Sequence, residues 1–427
     1  LSTQGFNVLD CGLSSTPAMF MTTVDLSCDA AIEITASHHP FNRNGFKFFT
    51  KNGGVESSEI SEILEKASEI KNFKQLQCDN VEKIDYIKIY SKRLRDLICK
   101  EINAPIYDKP LQGFKIVVDA GNGAGGFYAT QVLEELGADI SGSQFLEPDG
   151  MFKNHIPNPE DKTAMSFIKN ATIKNKADMG IIFDTDVDRA GAVDSDGTEI
   201  NRNSLVALAA SIALEGNAGG TIVTDSITSD GLKKYIENVL KGKHCRFKRG
   251  YKNVINEAIR LNKIGVNCPL AIETSGHAAM RENYFLDDGA YLITKIVIKL
   301  AKLKKENKNI SDILNLLEKP AESFEYRLKI NSHNFKEEGE KIIFYLECFA
   351  REKNWCVAQD SQEGVRISFD KNNGDGWALL RLSVHDPVMP LNIESDSKNG
   401  SKLIIKNILE ALESFKILDL NSLKENM

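Results

Sequence analysis

IVVDAGNGAGGFYATQVLEELGAD, residues 116–139, carries the pattern that decides the fold. A run of strand character (IVVDA, 116–120) enters a glycine-rich turn, and the turn opens into a helical pattern, ATQVLEELG, that stops at Gly137. A buried strand followed at once by a helix is the first half of a βαβ unit. Similar apolar runs recur at MGIIFD (179–184), GAVD (191–194), GTIVTD (220–225) and LAIE (270–273). Helical stretches such as SLVALAASIALEG and KNVINEAIRLN lie between them. The alternation predicts an α/β architecture with mostly parallel sheets over the first three quarters of the chain. The remainder reads differently: FEYRLKI, RISFD and ALLRLSVHD are strand-like and KLIIKNILEALESF is a closing helix, an α+β pattern expected to form a smaller domain.

At 427 residues the chain has length for about three domains of roughly 150 residues, give or take one. Polar stretches near Asn103–Pro110, Glu215–Gly220 and Lys319–Glu322 are the candidate boundaries. Composition is that of an ordinary globular protein, 42% hydrophobic and 26% charged, with a net charge of -7. The acidic balance argues against a general nucleic-acid or membrane-surface binder. A small anionic substrate remains compatible, because a local basic pocket does not show in a net charge. The eight cysteines form no C-x-x-C pair and read as reduced thiols. No apolar run approaches the ~18 residues of a membrane span. The lysine-rich KLAKLKKENKN (299–309) reads as a solvated helix face. The chain opens on Leu1 just before a strand-like run, GFNVLDCG, and is expected to lack its true N-terminus and any targeting peptide.

Four clusters carry chemistry. TASHHPFNRNGFK (Thr35–Lys47) follows a strand and sets a hydroxyl, Ser37, beside His38 and His39 on a loop rich in turn residues, with Lys47 after it. Such a serine can be a nucleophile or a phosphate carrier; a polar turn with a capping serine is the alternative. DTDVDR (Asp184–Arg189) ends an apolar strand with three alternating carboxylates. A loop can converge them on one hard cation, and three carboxylates with room for another oxygen suit Mg²⁺. ETSGH (Glu273–His277) offers a carboxylate, a hydroxyl and an imidazole to sugar hydroxyls, or is a strand-to-helix turn. RLSVHDP (Arg381–Pro387) offers an arginine fork, a serine and a histidine to a phosphate, or is an amphipathic strand end. GNGAGG (121–126) fits G-x-G-x-x-G, with Asp139 near the spacing of a ribose-binding acid. That acid belongs at the end of the next strand, whereas Asp139 falls where a strand would start, so the glycines read as a close strand-to-helix turn.

Taken in order, these clusters resemble the α-D-phosphohexomutase superfamily of phosphoglucomutases and phosphomannomutases. The family pattern is T-A-S-H-N-P-x-x-x-N-G-x-K, D-x-D-x-D-R, G-E-x-S-G-H and R-x-S-G/N-T-E-P. GLSSTPAMF, VVDAGNGAG, PDGMFKNHIPNPE (148–160), RGYKN (249–253) and EGVRISF add to the resemblance, which spans essentially the whole chain. It implies three related α/β domains with mixed sheets (1–108, 109–214 and 215–320) and a smaller α+β domain (321–427) around a central cleft. It implies Ser37 as phosphoserine, and Asp184, Asp186 and Asp188 as Mg²⁺ ligands together with the serine phosphate. Arg189 would face the substrate, and Lys47 and His38 are candidates for proton transfer, Lys47 through a pKa lowered by neighbouring cations. Glu273 and Ser275 would grip sugar hydroxyls, with His277 in the same loop and Lys252 as a further substrate-binding residue, and Arg381 and Ser383 would hold the phosphate that does not react. The implied activity is exchange of hexose 1-phosphate and hexose 6-phosphate, of glucose or mannose, with glucose 1,6-bisphosphate as activator and no nucleic-acid or membrane partner. A phosphoglucosamine mutase and a weakly active sugar-phosphate binder are the alternatives.

The chain departs from the pattern at His39 for asparagine, Ile272 for glycine and Val384-His385-Asp386 for Gly/Asn-Thr-Glu. His385 is therefore expected to supply phosphate contacts that the family makes otherwise. The SVHDP loop followed by PLNIE is similar to plant and algal members, which implies cytoplasm or plastid stroma.

Overall fold

The computed structural model describes residues 1–37, 39–70, 80–359, 361–383 and 386–427. The chain forms two compact units, each built from two segments: Leu1–Gly216 with Pro269–Asn315, and Asn217–Cys268 with Leu316–Met427.

In the first unit, strand Ile116–Asp119 pairs in parallel with Met179–Phe183, as the opening pattern predicts. Met179–Phe183 and the returning strand Ala190–Asp194 are buried along their whole length, so they read as continuous apolar runs rather than alternating ones. Helix Lys162–Asn175 covers the first two strands, and helix Gly289–Lys305 packs on the third. Tyr128–Leu133 is wound as a wider π-type turn, closed by Glu134 N–H to the Ala129 carbonyl at 3.0 Å. Lys302, Lys304 and Lys305 fall in the last turn of Gly289–Lys305, where cations suit the helix dipole.

The expectation of mostly parallel sheets needs correcting. Ala31–Ile34 with Phe46–Thr50, Met179–Phe183 with Ala190–Asp194, and Leu270–Ile272 with Ala278–Met280 are all antiparallel pairs. A parallel return needs a crossover of about a dozen residues or more. Loops 184–189 and 273–277 are too short for that and can only close hairpins. The three hairpins carry three of the four chemical clusters at their tips. ETSGH is therefore a strand-to-strand turn, not a strand-to-helix one.

The second unit holds a parallel pair, Thr221–Asp225 with Lys243–Phe247, against which helix Tyr251–Lys263 packs. It also holds an antiparallel sheet in the order Cys356–Val357, Val365–Phe369, Gly376–Leu380, Val388–Ser395, Glu322–Lys329. Helices Phe335–Glu352 and Gly400–Leu412 pack on this sheet through Ile342, Leu346, Ile404 and Ile408. This is the expected α+β pattern. ALLRLSVHD, expected as one strand, stops at Leu380, and a new strand begins at Val388 beyond the Asp386-Pro387 turn. Among the described residues no helix is long and apolar enough to cross a membrane.

Candidate active site

The loop after Ala31–Ile34 carries Ser37, whose φ of 51° lies in the left-handed region that a serine adopts at a cost of about 1–2 kcal/mol. Its N–H donates to the Thr35 hydroxyl at 2.9 Å. That hydroxyl in turn donates to Asp186 Oδ2 at 3.0 Å. His38, the next member of the cluster, lies outside the described residues.

The DTDVDR hairpin turns at Val187, whose φ of 68° is exceptional for a β-branched residue. The Gly289 N–H holds the Val187 carbonyl at 3.0 Å, so the first turn of a long helix braces the strained tip. Asp184, Asp186 and Asp188 are all buried. Their ligand atoms lie within 4.8 Å of one another. Asp184 is held by Arg189, whose backbone N–H and Nε reach its two oxygens at 3.1 Å each. Oδ2 of Asp186 accepts from Thr16 Oγ1 at 2.7 Å, Lys47 Nζ at 2.8 Å and Thr35. Oδ2 of Asp188 accepts from Lys47 at 2.6 Å. The other oxygen of each, Oδ1, is buried with no hydrogen-bond partner among the described residues. A buried carboxylate oxygen left bare is costly unless something outside the chain uses it. Burial, and then the Asp188 charge, push Asp184 well above the ordinary carboxylate range. This crowding of like charge is what a hard divalent cation relieves, so the donor set fits Mg²⁺.

Lys47 does not sit among cations. Burial pulls its pKa down, but Asp188 and Asp186 outweigh burial and hold the ammonium above its usual range. The lowering expected from sequence is reversed, because the neighbours that dominate are carboxylates.

The ETSGH hairpin turns through Gly276, at φ 98°, where a Cβ would stand 2.6 Å from the Ala190 carbonyl oxygen. Glycine there lets the hairpin lie against the strand that follows the DTDVDR loop, and Arg189 and His277 form a backbone bridge. Glu273 and Ser275 are buried, and Ser275 Oγ has no partner among the described residues. His277 Nδ1 meets Asp287 Oδ2 at 2.5 Å and lies 3.9 Å from Asp188. Burial opposes its charge, but Asp287 and Asp188 raise its pKa to about 9.

The remaining predicted residues belong to the second unit. Arg381 is buried just past Gly376–Leu380, with Nε unpartnered among the described residues. Burial and the guanidinium of Arg249 lower its pKa, against Glu363, Glu325 and Asp225. Ser383 Oγ accepts the Asp386 N–H at 3.3 Å. Lys252 lies in the first turn of Tyr251–Lys263. Val384 and His385 lie outside the described residues.

The chain matches models of the phosphoglucomutase/phosphomannomutase family: α/β/α domain I over residues 1–74, domain II over 90–197 and domain III over 201–320. It belongs to that family. A phosphomannomutase of Escherichia coli is 30% identical over 400 residues, 92% of this chain and 82% of that protein. A phosphomannomutase/phosphoglucomutase of Pseudomonas aeruginosa is 27% identical over 415 residues, 96% of this chain and 82% of that one. The crystal structure of a family protein from Burkholderia thailandensis superposes with a TM-score of 0.78 at 27% identity, covering 97% of this chain and 84% of that chain.

Within this phosphohexomutase, sequence reasoning passed over four residues that shape the site. Thr16, at the start of helix Thr16–Asp25, and Thr35 donate to Asp186; Asp287 holds His277; and Arg249 faces Arg381. Arg249 was in view within RGYKN, and Thr35 opened the quoted motif. Thr16 likewise lies within the quoted GLSSTPAMF, whereas Asp287 carries no local signal, since only the fold brings it to His277.

Proposed function

We propose that this protein exchanges hexose 1-phosphate and hexose 6-phosphate, of glucose or mannose, through a phosphoserine at Ser37. The observation that carries the reading is the bare, buried Oδ1 of Asp186, beside an Asp188 Oδ1 that has no hydrogen bond among the described residues and lies 3.9 Å from His277 Nδ1, in a cluster hydrogen-bonded to the Ser37 loop. Asp184, Asp186 and Asp188 would hold Mg²⁺, which neutralises charge on a transferring phosphoryl group. In the first half-reaction the P–Oγ bond of phosphoserine breaks and a P–O bond forms to a sugar hydroxyl. The hydroxyl proton leaves to a base and ends on Ser37 Oγ; His38 is the candidate base, and Lys47, held as an ammonium by Asp188 and Asp186, would serve only once those carboxylates turn to a cation. In the second half-reaction the other sugar O–P bond of the resulting hexose 1,6-bisphosphate breaks, the P–Oγ bond of phosphoserine re-forms, and the serine proton passes through the base to the freed sugar oxygen. Glucose 1,6-bisphosphate would prime the serine and act as activator. Arg189 anchors Asp184 and adds positive charge beside the transferring group. Glu273, Ser275 and the His277 imidazolium would bind sugar hydroxyls. Arg381, Ser383 and His385 would bind the phosphate that is not transferred, and Lys252 would be a further substrate contact.

Intact-mass analysis after incubation with glucose 1,6-bisphosphate and Mg²⁺ tests the reading. One added phosphoryl group is expected in the wild type and none in Ser37→Ala, which should lack turnover. Assays with glucose 1-phosphate, mannose 1-phosphate and glucosamine 1-phosphate rank the substrates. Wild-type turnover in Ser37→Ala would refute the phosphoserine.

A further inference from the structure

We infer that Thr35 is a positioning residue: its hydroxyl ties the backbone of Ser37 to Asp186, so that the serine and the metal loop are set as one piece. The inference rests on the phosphoserine reading above and extends it.

A threonine hydroxyl has one proton and two lone pairs. At Thr35 both functions are used, and in opposite directions. It accepts the Ser37 N–H at 2.9 Å and donates to Asp186 Oδ2 at 3.0 Å. The first bond spans two residues and stabilises the left-handed φ of 51° at Ser37. The second spans 151 residues and ends on the carboxylate whose other oxygen is bare. A change in either loop is therefore felt in the other through one oxygen atom. The remaining donors to Asp186 Oδ2 come from different places: Thr16 at the start of its helix and Lys47 on the far strand of the hairpin. They fix the carboxylate but do not touch the Ser37 backbone, so Thr35 alone of the three connects the two loops directly. With three donors on Oδ2, Asp186 has Oδ1 left to offer a ligand. Thr35 touches neither substrate nor reacting atoms; it acts through Ser37 and Asp186.

Replacing the hydroxyl by a methyl group of the same shape isolates the effect. Thr35→Val should slow Ser37 phosphorylation by glucose 1,6-bisphosphate, followed by intact mass, and should lower kcat. Each loss is expected to be about 10- to 100-fold, the worth of one hydrogen bond to a charged group. KM for the hexose phosphate should stay within about threefold, because the groups proposed to grip sugar and phosphate lie elsewhere. Thr35→Ser, which restores the hydroxyl, should recover most of both rates. Thr35→Ala serves as a second hydroxyl-free variant if the valine does not pack, and melting temperatures establish that each variant is folded. Normal phosphorylation and kcat in the hydroxyl-free variants, with Ser37→Ala inactive, would overturn the role of Thr35 while leaving the phosphoserine standing. A loss that serine does not recover, or one that follows the melting temperature, would also overturn it. Turnover surviving in Ser37→Ala would remove both readings together.

Discussion

Asp119 closes strand Ile116–Asp119, Asp186 lies in the loop after its parallel partner Met179–Phe183, and these two buried aspartates are treated in opposite ways. Asp119 has both oxygens served from within the chain. Oδ1 accepts from Gly121 N–H at 2.8 Å and lies 3.0 Å from His155 Nε2, and Oδ2 accepts from Gln144 Nε2 at 2.7 Å. Asp186 has three donors on one oxygen and none on the other among the described residues. The first arrangement closes a turn and asks nothing of the surroundings. The second leaves a desolvated acceptor that is compensated only when something binds. Burial alone does not tell the two apart; the distribution of donors over the two oxygens does.

The largest expected effect separates the two by activity. In Asp186→Asn the amide oxygen can keep the donors on Oδ2, while an NH₂ group replaces the bare acceptor. Turnover should fall by about 10²- to 10³-fold, the usual loss when one transition-state charge stabiliser is removed. Melting in EDTA should move by only a few degrees, because little of the fold depends on Oδ1. A variant that keeps more than a tenth of wild-type turnover would end the distinction. EDTA should likewise abolish wild-type activity, and Mg²⁺ should restore it.

Asp119→Ala should do the reverse. Removing one partner of a buried, hydrogen-bonded pair costs about 3–5 kcal/mol, because the other is left uncompensated. Urea and thermal melts should show that loss. The kcat of the folded variant, measured well below its transition, should stay within about threefold. A stable variant with collapsed turnover would mean that Asp119 serves the chemistry.

A smaller effect sharpens the comparison at the boundary between the two strands. Gly123, in the turn after Asp119, lies where a Cβ would stand 2.5 Å from the carbonyl oxygen of Thr185. Thr185 sits between Asp184 and Asp186, and its carbonyl accepts the Ala124 N–H at 2.7 Å. Gly123→Ala should cost about 1–3 kcal/mol as an overpacking change, and should weaken Mg²⁺ dependence by pushing the loop. An unchanged melting temperature together with an unchanged Mg²⁺ titration would show that the contact yields freely.

How much of this could be read from sequence follows the range of each signal. The alternating carboxylates of Asp184–Asp188 and the order of the four clusters are local, and they were legible. So was the strand-to-helix turn at Gly121–Gly126, though not its purpose of seating against Thr185. The hairpins were missed because an apolar strand followed by a polar loop looks the same whether the chain crosses over or turns back; only loop length tells them apart. Thr16 lies 170 residues from Asp186, and a threonine in a helix's first turn is unremarkable on its own. The Lys47 shift runs opposite to the expectation because pKa depends on which charges the fold brings nearest, and these are Asp188 and Asp186.

The smallest effect is a pH dependence that marks the Asp119 side as structural. His155 lies in the PDGMFKNHIPNPE segment, with Nε2 facing Asp119 at 3.0 Å and Nδ1 facing the Ile156 carbonyl oxygen at 2.9 Å. Both ring nitrogens thus face oxygen, and only the imidazolium can donate from both. The rings of Phe145 and Phe167 flank it, and Asp161 adds a second negative charge. Burial disfavours the cation, but the hydrogen bond and charge of Asp119 outweigh burial and raise the pKa above its ordinary value. The folded state therefore binds this proton more tightly than the unfolded chain, where histidine titrates near ~6.5. The stabilisation is complete below that pH and is lost as pH rises through the folded-state pKa. A neutral ring keeps its donation to Asp119 and loses the bond to Ile156, about 1 kcal/mol net. The melting-temperature gap between wild type and His155→Gln should be widest near pH 6 and narrow steadily toward pH 9. Glutamine does not titrate, and both proteins share every other ionisable group, so the difference isolates this site. A gap that stays constant across that range would mean that His155 is neutral in the folded protein, with the Nδ1 contact to Ile156 contributing nothing.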